Sequence, residues 1–72
     1  MEQGTRIRIQ VNGEARSVRG GASLDTLVAE LGLRPEVVAV ELNERLVRRE
    51  ERGRTILQDG DRLEVVTLVG GG

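Results

Sequence analysis

Asp59-Gly60-Asp61-Arg62-Leu63-Glu64-Val65-Val66-Thr67-Leu68-Val69-Gly70-Gly71-Gly72 carries the strongest fold signal in the chain. It divides into a tight-turn signal, a strand and a run of glycines. Aspartate side chains bond the backbone close by and glycine accepts positive φ, so Asp-Gly-Asp reads as turn chemistry. Two aspartates this close would suit a calcium loop only with several more oxygen ligands at alternate positions, and none are there. From Leu63 the side chains alternate, with Leu63, Val65, Thr67 and Val69 on one face and Glu64, Val66 and Leu68 on the other. Such a strand belongs in the middle of a sheet. If a helix covers its first face, Val66 and Leu68 are left as partly exposed apolar groups on the second, and such patches mark binding surfaces.

The strand runs directly into Gly70-Gly71-Gly72. Glycine has no Cβ and resists ordering, so the domain is expected over residues 1–69, with 70–72 as a flexible tail. Either the glycines are an incidental end, or the carboxylate of Gly72 is the working group. A free α-carboxylate is an anion near neutral pH and a poor electrophile. It must be activated to react, for example as a mixed anhydride with a nucleotide phosphate. An enzyme doing so must admit the tail through a narrow channel, and Gly70 and Gly71 carry no side chain to obstruct the threading.

Working back from this stretch, Thr5–Val11 alternates Ile7, Ile9 and Val11 against Arg6, Arg8 and Gln10, which predicts a half-buried strand. Asn12-Gly13 is a hairpin signal, since both residues tolerate the positive φ of a type I′ turn. A short, weakly patterned second strand is expected over Glu14–Val18. After Gly20-Gly21, Ser23 is placed as the N-cap of a helix, with Asp25 favourable in its first turn. Leu24, Leu27, Val28 and Leu31 form one apolar stripe, Gly32 supplies a left-handed stop and Pro35 prevents continuation. This one-faced helix needs a sheet to lie on.

Val37–Leu42 is nearly all apolar, as in a strand with neighbours on both sides. Asn43-Glu44 turns the chain into a brief paired segment at Leu46-Val47. Arg48–Arg54 reads as a solvated, charged surface connection with a helical turn in it. Ile56 and Leu57 are expected to anchor that loop.

The composition narrows the chemistry. At 72 residues the chain is a single small domain, which buries only about 60% of its unfolded surface. Without cysteine it has neither disulfides nor thiolate metal ligands, and without histidine it lacks the commonest general base and metal ligand. An enzyme acting alone is therefore not expected, and no catalytic or metal residue is assigned. Eleven basic residues, all arginine, face 12 acidic ones for a formal charge of −1. With no basic excess and no aromatic stacking platforms, nucleic acid and anionic membranes are not expected partners. No apolar run reaches the length of a membrane span, so a soluble cytoplasmic protein is expected. With no lysine, the chain cannot receive an isopeptide bond.

The order hairpin, helix, strand, irregular crossover, strand, with the first and last strands parallel at the centre, gives an α+β roll. It is the β-grasp arrangement known from ubiquitin, a mixed four- to five-stranded sheet packed on one main helix. Asn12-Gly13-Glu14, the Ser23 helix ending at Gly32-Leu33, Val38-Ala39-Val40-Glu41-Leu42-Asn43, Asp59-Gly60-Asp61-Arg62-Leu63-Glu64-Val65-Val66 and the closing Val69-Gly70-Gly71-Gly72 resemble the ThiS family, sulfur carriers of thiamine biosynthesis. The similarity covers essentially residues 6–72. Each motif alone is weak, and their order and spacing make the combination specific.

The resemblance implies a carrier rather than a catalyst. A ThiF-type adenylyltransferase, using ATP and magnesium, would adenylate the Gly72 carboxylate; the carrier itself would bind no cofactor. Sulfur originating from cysteine, through a donor such as a cysteine desulfurase, would replace the adenylate to leave a thiocarboxylate. That sulfur would pass to a ThiG-type thiazole synthase. The expected state is a monomer that forms transient complexes, with Val66 and Leu68 as the docking face. Two departures stand out: three terminal glycines where many relatives end in two, and Arg48 where the family's loop carries proline. The alternatives are a carrier for molybdopterin synthesis or tRNA thiolation, and an interaction module without sulfur chemistry. A proline-rich step before the glycines, frequent in the molybdopterin carriers, is absent from Thr67-Leu68-Val69.

Overall fold

Strand β1 (Arg6–Val11) and strand β2 (Glu14–Arg19) form an antiparallel hairpin, with Arg6 opposite Arg19 and Val11 opposite Glu14. The computed structural model describes residues 5–68 of the chain. Asn12 and Gly13 turn this hairpin at φ +53° and +85°, as the sequence predicts.

The helix α1 (Leu24–Glu30) starts at Ser23, whose Oγ accepts from the Thr26 amide at 3.1 Å. It stops at Gly32, where φ is +75°. A 3₁₀ turn at Pro35–Val37 leads into β3 (Val38–Leu42), so Val37, read from sequence as the first strand residue, belongs to that turn. Proline fixes φ at a value that suits the start of a helical turn, which explains the shift. Asn43 and Glu44, both at positive φ, then reverse the chain into β4 (Arg45–Val47).

A six-residue 3₁₀ segment at Arg49–Arg54 follows, then the Asp59-Gly60-Asp61 turn and β5 (Arg62–Thr67). Strand order is β2-β1-β5-β3-β4. β5 lies in the middle, parallel to β1 and antiparallel to β3, with Gln10 opposite Arg62 and Val40 opposite Val65. The helix covers one face. Between them lie Ile9, Val18, Leu24, Leu27, Val28, Val38, Val40, Leu57, Leu63 and Val65, all buried and all aliphatic. Each such side chain contributes roughly 1.5–3 kcal/mol relative to exposure, set against the conformational entropy of ordering the chain.

Two expectations for the crossover need correction. Leu57 anchors the loop, but Ile56 is 45% exposed. Leu57 and Leu24 bond the backbones of Ala22 and Thr55 across this segment, so the extended chain turns alternate side chains in and out. The run Arg48–Arg54 is not wholly solvated either, because Arg52 is 3% exposed. Its Nη1 and Nη2 donate to the carbonyls of Pro35 and Val38 at 3.1 and 2.8 Å, while Nε is buried without a partner. Those two bonds take the guanidinium inside, because a 3₁₀ segment laid against the start of β3 presents free carbonyls to it.

Candidate functional site

β5 is held on both flanks by asparagines from the two hairpin turns. On the β1 side, Asn12 Nδ2 donates to Val65 O at 3.1 Å, and its Oδ1 accepts from Val65 N at 2.8 Å. This continues the parallel ladder past the end of β1 with a side chain in place of backbone. On the β3 side, Asn43 Oδ1 accepts from Arg62 N at 3.0 Å, and its Nδ2 donates to Asp61 Oδ1 at 3.0 Å. A short polar side chain in the left-handed region has the reach to do this.

The aspartates of the preceding turn serve as acceptors for backbone. Asp61 Oδ2 accepts from Gln58 N and Asp59 Oδ1 from Arg8 N, both at 2.8 Å. Turn chemistry is thus their role, as the sequence predicts.

At the far end, Leu68 N donates to Val37 O at 2.6 Å. Val37 lies between the two carbonyls that Arg52 holds, so the buried guanidinium braces the backbone from which β5 departs. Val69, Gly70, Gly71 and Gly72 follow in sequence and lie outside the described residues, so the working group assigned to Gly72 and the threading role of Gly70 and Gly71 lie outside them too.

Val66 and Leu68 are 54% and 52% exposed, on the sheet face away from the helix. Val66 is level with Ala39 on β3, and the row below places Glu64 beside Glu41 and Glu41 beside Leu46 on β4. Leu46 is 67% exposed. The sequence reading missed it, since only the β3–β4 register reveals that Leu46 shares the Val66 face. Val66 and Leu68, at the end of the chain's path toward the glycines, make an apolar patch suited to a protein partner, with Leu46 on the same face across Glu41. Above the turn residues the same face holds a hollow of about 330 Å³, bordered by Gln10, Glu41, Arg62 and Glu64 among others.

Among the described residues no helix is long and apolar enough to cross a membrane.

Known proteins agree with this geometry. The ThiS family profile matches residues 9–72. The crystal structure of thiamine biosynthesis protein ThiS from Geobacter metallireducens superposes with a TM-score of 0.79 at 32% identity, covering 92% of this chain and 100% of that one. The sulfur carrier protein ThiS of Escherichia coli is 29% identical over 66 residues, covering 92% of this chain and 100% of the relative. A thiazole synthase of Magnetococcus marinus is 42% identical over 66 residues. This chain spans only 20% of the length of that relative, and the same share of a second thiazole synthase. A family match that runs over nearly the whole chain, on a β-grasp fold with the same strand and helix plan, settles its kinship: the chain belongs to the ThiS family.

Proposed function

We propose that the chain is a sulfur carrier of thiamine biosynthesis, acting in the cytoplasm as a substrate for its partners rather than as a catalyst. The observation that carries this reading is the extent of the family match, which runs through the glycines to residue 72. The similarity to the Escherichia coli sulfur carrier supports it. So does the exposed Val66/Leu68 surface immediately upstream of the tail.

The chemistry follows from the poor electrophilicity of a carboxylate. A Gly72 carboxylate oxygen attacks the α-phosphorus of ATP on a ThiF-type adenylyltransferase and pyrophosphate leaves. The terminal sulfur of a persulfide on a donor such as a cysteine desulfurase then attacks the acyl carbon and AMP leaves. A thiol reductant, itself oxidised to a disulfide, cleaves the resulting acyl disulfide and releases the donor's cysteine. The resulting thiocarboxylate sulfur is a far better nucleophile than the oxygen it replaces, and it is delivered to thiazole synthase. Gly70 and Gly71 let the tail thread into each active site. Val66 and Leu68 supply the docking face.

Removal of Gly71 and Gly72 tests this reading. The truncated chain keeps residues 5–68 and therefore its fold, which circular dichroism verifies. In a strain lacking its own carrier, the full chain restores growth without thiamine and the truncated chain does not. Growth restored by the truncated chain would mean a binding module whose glycines are incidental.

A further inference from the structure

The outer face of the sheet carries charges that the carrier chemistry leaves unused. The register puts Arg6 directly opposite Arg19, and Glu41 directly opposite Glu64. Like charges facing each other across neighbouring strands destabilise a sheet. All four residues are exposed, and Arg8 lies on the same face one row from Arg6. Among the described residues the ion pairs are Arg34–Glu36 and Arg48–Glu50, so none of these five side chains is in an ion pair. Arg6 instead donates from Nε and Nη2 to the hydroxyl and carbonyl oxygens of Ser17, both at 3.0 Å, which orients its guanidinium without cancelling its charge. A sheet selected for stability alone would interleave the two signs.

They are sorted by position. Gln10 is level with Arg62, so Arg6 lies about 13 Å before that level along the strand direction, at ~3.3 Å per residue. The Glu41/Glu64 pair lies about 7 Å beyond Arg62, and Val66 about 13 Å beyond it. Toward the glycines the face therefore reads arginine band, Arg62, glutamate pair with Leu46, then Val66 and Leu68. A standard interface takes about 800 Å² from each partner. Centred between the glutamates and Val66, such a footprint is about 16 Å in radius, so Arg8 lies at its edge and Arg6 and Arg19 about 7 Å outside it, within a screening length at low salt. The chain's formal charge is only −1, so what this pattern supplies is orientation rather than net attraction.

We infer that this face docks in one orientation, its arginine band, Arg6, Arg8 and Arg19, steering the carrier onto an acidic flank of thiazole synthase. The inference rests on the carrier reading above. The glutamate pair meets basic groups, and the apolar end lies nearest the channel that takes the tail. The thiazole synthases that contain a stretch similar to this chain, 20% of their length, point to this partner, since one polypeptide keeps the two parts together.

The test is the association kinetics of the full chain with purified thiazole synthase from the same organism, between about 0.02 and 0.5 M salt. The double variant Arg8→Gln/Arg19→Gln is compared with the parent. Its association rate is expected to fall about five-fold at low salt, with the dissociation rate changed less than about two-fold. The difference should vanish at about 0.5 M salt, where the screening length is roughly 4 Å. Its melting temperature should not fall, because the Arg6/Arg19 repulsion is removed. Val66→Ala is the counterpart and should act through the dissociation rate. Equal association rates and salt slopes for the double variant and parent would overturn the steering role while leaving the carrier reading intact. A parent chain that fails to bind thiazole synthase at all would overturn the carrier reading for this partner, and the steering role with it.

Discussion

Replacing Asn12 with alanine removes the side chain that joins β1 to the upper half of β5. Two hydrogen bonds are lost, to the amide and carbonyl of Val65, a residue 8% exposed. Each contributes about 1 kcal/mol net. Alanine must also hold φ near +53°, which costs about 1 kcal/mol more in the left-handed region. The sum is about 3 kcal/mol, a large share of the ~5 kcal/mol expected of a domain this small. Asn12→Gly keeps the turn but loses both bonds and loosens the unfolded chain, for about 2.5 kcal/mol. The assay is urea unfolding followed by far-ultraviolet circular dichroism, because a chain without aromatic residues has no intrinsic fluorescence. With a slope near 1 kcal/mol per molar urea, the alanine variant's midpoint should fall by about 3 M. Midpoints for both variants within about 0.5 M of the parent would refute the claim that this asparagine stitches the sheet.

Arg52→Ala should cost about 3 kcal/mol in the same assay, because the carbonyls of Pro35 and Val38 lose their donors and a gap opens. Arg52→Met should cost at least about 1 kcal/mol less, since it fills the space and removes a buried, unpaired charge. Glu44→Gly should stabilise by about 0.5 kcal/mol, the relief of a φ of +71° less the entropy glycine adds to the unfolded chain. Val66→Ala and Leu68→Ala should each move stability by less than about 1 kcal/mol, yet weaken binding to thiazole synthase about ten-fold in a titration. A backbone hydrogen bond, and after it Arg34, hold the Glu36 carboxyl below its ordinary range. Its contribution to stability is therefore complete above that range and is lost as pH falls through the folded value, which an NMR titration of the side-chain carboxyl would follow.

What could be read from the sequence was local. The alternation of Ile7, Ile9 and Val11, the Asn12-Gly13 turn, the Ser23 cap and the Gly32 stop each act within a few residues, and each stands where expected. The parallel pairing of β1 and β5 also followed, because two strands with a helical connection between them have few ways to share a sheet. The exposure of Val66 and Leu68 came from the same alternation.

What escaped was set by register and by contacts distant in sequence. Asn12 and Asn43 read as turn residues, and nothing local shows that their side chains also grip β5. Arg52 sits among charged neighbours, and only the carbonyls it meets explain its burial. Leu46 joins the Val66 face, and Arg6 faces Arg19, through pairings that depend on the strand offsets.

Intact mass shows whether the Gly72 carboxylate carries sulfur. The full chain is incubated with ATP, magnesium, a ThiF-type adenylyltransferase, a sulfur donor and a thiol reductant. The expected result is a gain equal to one oxygen-to-sulfur exchange, mapped by fragmentation to Gly72 and absent when Gly72 is deleted. A chain that acquires neither adenylate nor sulfur there, with the activating enzyme shown to be active on another carrier, would contradict it.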